Sequence, residues 1–231
     1  MGKLFAAAAL AFLVIVVGDH LAPPTPHIQS APAPVPEIEL PVVPVVAQRP
    51  SNQLESPRES LQYRDTLIRT ARAVWGMDAP VAVFAAQVHQ ESAWKPGAVS
   101  KVGAQGLAQF MPGTTTWIAT LDPALSTQEP FNPAWALRAL VTYDQWLYAR
   151  APVRYTNHDR MWVALRGYNG GLGHWQAEAR ASGVREPSRE QVDAACGTAR
   201  RARLHCKENL GYPHRILVEL QPRYAAWGPG L

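Results

Sequence analysis

The sequence predicts an all-α domain over residues 59–231. Three observations predict it. Apolar residues recur at helical spacing, Asn, Asp and Pro punctuate the stretch at helix-start positions, and no segment alternates apolar with polar residues for long. The 231-residue chain is 47% hydrophobic and 17% charged, which supplies a packed core and excludes global disorder. Two cysteines exclude a disulfide-rich scaffold and a four-cysteine zinc module. The net charge of +4 suits an anionic surface or polymer, while no Lys/Arg run is dense enough to indicate nucleic acid.

Residues 1–20 read as a signal peptide or a short membrane anchor. Leu4–Val17 is an unbroken apolar run of 14 residues, preceded by Lys3 and closed by Gly18, Asp19 and His20. A full membrane span needs about 20 residues. Cleavage would release the remainder, and retention would tether it to the inner membrane. Either places it outside the cytoplasm, in the periplasm or cell envelope. Residues 21–58 read as a Pro-rich, disordered linker: nine prolines fall in residues 22–50, in runs such as APAPVP that favour extended polyproline II.

The helices follow in order. Ser60–Trp75 carries Leu61, Leu67, Ala71 and Val74 near helical spacing. Asp78 then Pro80 reads as an N-cap with a first-turn proline, opening a second helix that stops before Pro96. A third follows Pro112-Gly113. Asn132-Pro133 opens a fourth, with Leu137, Leu140, Val141 and Leu147 on one face. A fifth starts at Asn157 or Asp159 and closes at Asn169-Gly170-Gly171. Further helices are expected at 172–181, 189–204 and 206–219.

One carboxylate stands out. On the second helix Glu91 lies about 20° from Phe84 and about 60° from Val88 around the axis, so an acid sits on the apolar stripe. It also sits near the helix C-terminus, where the macrodipole is negative. Desolvation and dipole both disfavour the charged form, which raises the pKa toward that of a general acid usable near neutrality. The pattern alone leaves open that Glu91 instead faces solvent or pairs with an arginine.

Around it stand Glu91-Ser92, then Ser100, then Gly106-Leu107-Ala108-Gln109-Phe110-Met111-Pro112, then Tyr168-Asn169-Gly170-Gly171, then Glu208 with Tyr212 four residues on. In this order the motifs resemble the soluble lytic transglycosylases, relatives of goose-type lysozyme, over roughly residues 65–220. The resemblance implies a lysozyme-like helical fold and a peptidoglycan glycan strand as partner. It implies that Glu91 is the single catalytic acid and base, and that Ser100, Gln109, Met111, Tyr168, Asn169 and Tyr212 contact substrate. Ser92 and Glu208 are supporting residues in the same comparison. The chain departs from the family pattern at Ala108, where a larger residue is usual, at Gly170, where Ala is usual, and at Pro213.

The implied reaction cleaves the bond between N-acetylmuramic acid and N-acetylglucosamine and leaves a 1,6-anhydro sugar. Most glycosidases flank the bond with two carboxylates. No acid occurs between Glu91 and Asp122, which suits a one-carboxylate mechanism helped by the substrate's own N-acetyl group. The alternatives are a hydrolytic lysozyme and a catalytically silent wall-binding module. Wall turnover, a secretion or conjugation role and phage lysis all remain open.

No cofactor or metal is expected. The seven histidines include no pair four apart on a helix, and Ser92 has no His/Asp relay. His174, His205 and His214 read as surface or packing residues. Trp94, Trp117, Trp146, Trp162 and Trp175 read as core rather than sugar platforms. Arg200, Arg201 and Arg203 read as a solvated basic face. Cys196 and Cys206, ten apart, form a disulfide in an exported domain or stand as two buried thiols.

Overall fold

The computed structural model describes residues 55–231. The segment expected at 1–20 and the linker expected at 21–58, up to its last four residues, lie outside the described residues. The described part is helical. Its α-helices are α1 (Arg64–Trp75), α2 (Val81–Ser92), α3 (Pro112–Ile118), α4 (Pro133–Tyr148), α5 (Asn157–Gly170), α6 (Leu172–Ala181), α7 (Arg189–Ala194) and α8 (Cys206–His214). Extended pairing among the described residues is limited to two isolated antiparallel bridges, Val99 with Gln105 and Gln105 with Phe110. No helix among these residues is long and apolar enough to cross a membrane.

Helix α2 is the buried axis. Every residue from Val81 to Val88 is buried. Burying a side chain such as Phe84 or Val88 is worth roughly 1.5–3 kcal/mol each. The chain beyond α8 wraps this helix as a π-helical stretch, Arg215–Leu220, and a 3-10 stretch, Gln221–Trp227. Asp78 does not cap α2. Pro80 itself occupies the cap position, and no side chain bonds there. The amides of Val83 and Phe84 donate to the Pro80 carbonyl at 3.0 and 3.3 Å, and Ala82 donates to the carbonyl of distant Pro229 at 3.0 Å. A tertiary contact thus satisfies a donor that a local cap was expected to satisfy.

The far end of α2 turns sharply. Ala93 and Trp94 both adopt left-handed φ, 48° and 65°, which costs a non-glycine residue roughly 1–2 kcal/mol. Burial of Trp94 opposes that cost. Its ring is 1% exposed, stacks on Tyr63 and packs against Tyr224 and Trp227, and its indole N–H donates to the Tyr224 hydroxyl at 2.7 Å.

Elsewhere the helix starts and stops shift by a few residues. The first expected helix opens as a 3-10 turn, Arg58–Tyr63, and Leu61 there is 55% exposed. Asn132 caps α4 as expected, its Oδ1 accepting from the Ala134 amide at 3.0 Å. Thr156, not Asn157 or Asp159, caps α5 by accepting from the Asp159 amide. The helix expected at 189–204 ends at Ala194, because Cys196 and Cys206 are joined and the chain between them loops back. Pro213 lies inside α8. It has no N–H for the carbonyl four residues earlier, and the following turn widens into the π-helix.

The Cys196–Cys206 bond closes a short loop at the start of α8. Its reduction should lower stability by roughly 2–4 kcal/mol. Thermal melts with and without reductant, against a double Cys→Ser variant, should show matching losses.

Candidate active site

Glu91 lies in the last turn of α2, where the buried axis meets a surface cleft. Two cavities, of about 660 and 460 Å³, adjoin there, and Glu91, Asn169 and Glu208 line both. The larger runs along α8, past Tyr212 and Arg215. The smaller runs along the 98–111 loop, past Ser100, Gln109 and Met111. The acid therefore stands at the junction of two lobes, with room for a group on either side.

The carboxyl of Glu91 is partly buried, and its side-chain partner is the hydroxyl of Tyr212, which donates to Oε1. Burial raises the Glu91 pKa from 4.5 to about 7; the Tyr212 hydrogen bond opposes this, and the nearby Glu208 charge adds to it. The expected acid on an apolar stripe is present, and it is not paired with an arginine. Arg215, one helix away, donates instead to Gln90.

The 98–111 loop owes its shape to short polar contacts. Ser100 closes a turn, its Oγ accepting from the Ala104 amide at 2.9 Å. Gln109 has a left-handed φ of 50°, and its amide donates to the carbonyls of Ala98 (3.2 Å) and Gly106 (2.8 Å). Gly106 has φ +74°, and any Cβ there would collide with the Pro130 carbonyl, so only glycine fits. Met111 is 42% exposed on the rim. Ala108 is fully buried in the core, so its departure from the family pattern falls beneath the cleft rather than on its wall.

Tyr168 braces this loop: its hydroxyl donates to the Ala108 carbonyl at 2.7 Å, and its ring stacks nearly parallel to Tyr212 at 6.5 Å. Ser92 faces inward, its Oγ donating back to the Val88 carbonyl at 3.3 Å, so it supports the last turn of α2. Asn169 Nδ2 donates to Glu208 at 3.3 Å. None of the eight tryptophans lines either lobe; the aromatic walls are Phe110, Tyr143, Tyr168 and Tyr212.

A buried network that the sequence did not reveal holds Asn169. Asn209 of α8 donates to Asn169 Oδ1 and to the Arg166 carbonyl, both at 3.0 Å. Arg166, fully buried, pairs with Glu178 and with Asp193. Glu178 also pairs with Arg201 at 2.8 Å. Arg201 is therefore not part of a solvated basic face: it is 6% exposed and reaches inward from the disulfide loop. Its guanidinium fills the space beside Gly170, where a Cβ would collide with it and with Asn209. The glycine that departs from the family pattern is the counterpart of that buried arginine.

Two outcomes follow. Because the folded pKa of Glu91 exceeds its unfolded value, the native state holds the extra proton between about pH 4.5 and 7, and stability falls as pH rises through that window. Glu91→Gln should remove a penalty on the order of a few kcal/mol. Its melting temperature should exceed wild type at pH 8 and match it near pH 4.5. Gly170→Ala should displace Arg201 and cost about 1–3 kcal/mol, read by chemical denaturation.

A family model described as the transglycosylase SLT domain matches residues 67–189. That span includes Glu91, the 98–111 loop and Tyr168-Asn169, and it ends before Glu208 and Tyr212. Similar curated proteins include the membrane-bound lytic murein transglycosylase F of Maricaulis maris, 36% identical over 92 residues, and that of Vibrio parahaemolyticus, 34% identical over 92 residues. Those alignments cover 40% of this chain but 19% and 16% of the relatives, so the chain spans about a fifth or less of their length. Among solved structures, the 70 kDa soluble lytic transglycosylase from Escherichia coli is similar at TM-score 0.51 and 22% identity, over 72% of this chain and 25% of that one. An inactive Glu→Gln variant of the lytic transglycosylase Slt from Pseudomonas aeruginosa gives 0.54 and 22%, over 74% and 25%. These likenesses support the lysozyme-type helical fold. Matched over more than half its length and carrying the acid, loop and Tyr-Asn motifs in order, the chain belongs to the transglycosylase SLT domain family.

Proposed function

We propose that residues 59–231 form a peptidoglycan lytic transglycosylase in which Glu91 serves first as acid and then as base. One observation carries this reading: a partly buried carboxyl with a pKa of about 7 sits where two cavities meet. An acid half protonated near neutral pH can give a proton and take one back.

Glu91 protonates the glycosidic oxygen between N-acetylmuramic acid and N-acetylglucosamine, and the C1–O bond breaks. The N-acetyl oxygen of the muramic residue stabilises the positive charge at C1. The resulting carboxylate accepts the proton of the same sugar's C6 hydroxyl as O6 bonds to C1. No water is consumed, and Glu91 ends protonated. The Tyr212 hydroxyl favours the carboxylate of the intermediate stage and fixes the rotamer of Glu91. Glu208 is exposed and engaged by Asn169, which suits a supporting role rather than a second catalytic carboxylate. Tyr168, with its hydroxyl committed to Ala108, positions the loop that carries Gln109 and Met111.

The substrate assignment draws on the murein named for the similar transglycosylases and on the family membership. Murein as the substrate implies action in the cell envelope. The apolar segment at 1–20 is read as the leader or inner-membrane anchor and residues 21–58 as the spacer.

Glu91→Gln should lower activity on purified sacculi by on the order of 10²–10⁴-fold or more with the fold retained. Mass spectrometry of wild-type digests should show glycan ends lighter by one water than hydrolysed ends. Ends of hydrolysed mass would make the enzyme a lysozyme. Near-normal turnover by the Gln variant would remove Glu91 from the chemistry.

A further inference from the structure

One turn below Glu91, on the same face of α2, lies Gln87. Its amide meets Asp144 of α4, and both residues are 0% exposed. Gln87 Nε2 donates to Asp144 Oδ1 at 3.4 Å. The other atom of each group, Gln87 Oε1 and Asp144 Oδ2, is buried without a partner among the described residues. Both are acceptors if Asp144 is ionised, and buried acceptors left unmet are costly. One proton on Oδ2 changes the count. It supplies a donor for the amide oxygen, while the amide N–H continues to serve the other carboxyl oxygen.

We infer that Asp144 is held as a neutral acid paired with the Gln87 side chain, so that this pair, one turn beneath Glu91, adds no negative charge of its own to the site. Among the described residues no cation lies among the causes that shift the Asp144 carboxyl. The titratable groups facing Asp144 are Glu91 from α2, Tyr143 beside it on α4, Tyr168 from α5 and Tyr212 from α8, all of them acids. Burial first, and then the Glu91 charge, push the Asp144 carboxyl well above the usual range, against the Gln87 hydrogen bond. The catalytic consequence rests on the proposed role of Glu91: a charge on Asp144 would oppose the carboxylate that forms after the first proton transfer, and a neutral pair does not. The protonation state itself is independent of that role.

Infrared spectroscopy of the Glu91→Gln protein, with Glu91 removed as a source of signal, tests it without turnover. At pH 7 the spectrum should contain the carbonyl band of a protonated carboxylic acid that shifts on 13C-aspartate labelling and is lost when Asp144→Asn is added. If the double variant does not fold, the labelled band in Glu91→Gln alone decides. Absence of the band at pH 7 overturns the proposal. In an otherwise wild-type chain, Asp144→Asn can make both hydrogen bonds without a titrating proton, so the Glu91 midpoint, followed by 13C NMR, should stay in place. A fall of that midpoint by a unit or more would mean that Asp144 is charged in the native protein. A persistent band together with an active Glu91→Gln enzyme would retain the acid–amide pair and reject the catalytic reading, so the two can fail separately.

Discussion

A carboxyl that keeps its proton near neutrality must lie where water is scarce and no cation is bonded to it. That condition governs the described fold. Glu91 meets it because α2 is submerged along its length and surfaces only in its last turn, at the cleft. Small residues at Ala82, Ala85 and Ala86 let neighbouring segments approach the helix closely. The tight left-handed turn at Ala93 and Trp94 then sends the Trp94 ring back into the core. The energy stored in that turn is opposed by the burial of one indole ring rather than by any contact in the cleft. The turn is thus held from within the core, while the buried acid itself lowers stability as pH rises through its titration.

The cleft walls depend on a second, polar framework. Arg166, Glu178, Arg201 and Asn209 form a buried chain of ion pairs and hydrogen bonds that ends on Asn169, which in turn engages Glu208. Removing one partner from such a buried set leaves an uncompensated charge and typically costs 3–5 kcal/mol. The framework links α5, α6 and α8 through side chains that line neither of the two lobes beside Glu91. Tyr168 does the equivalent for the 98–111 loop with a single hydroxyl.

The sequence made legible what depends on local spacing. The apolar stripe with Glu91 on it, the Asn132 cap, the Gly171 stop and the motif order around the cleft all follow from residues a few positions apart. What it concealed depends on residues far apart. The Ala82 amide at the start of α2 is met by the Pro229 carbonyl, a partner that the local Asp78-Pro80 pattern does not show. Arg201 sits in an RRxR cluster that reads as surface, and only the disulfide loop and Glu178 reveal it as core. Gly170 looks like a lapse from the family pattern until the arginine beside it is seen. Asp144, between a tyrosine and a glutamine on an otherwise ordinary helix, gives no local signal, because its partner lies on α2.

The contact between Ala82 and Pro229 joins residues far apart in the chain. The N-terminal turn of α2 is closed by backbone from the far end of the described chain, and residues 215–227 cover its flank. Such distant pairings form late, after the entropy of a long loop has been overcome. Residues 215–227 help to keep water from α2, the helix that carries Glu91. The high pKa of Glu91 is thus a property of the packed helix and not of its local sequence, since a Glu91 left in water would titrate in the ordinary carboxylate range.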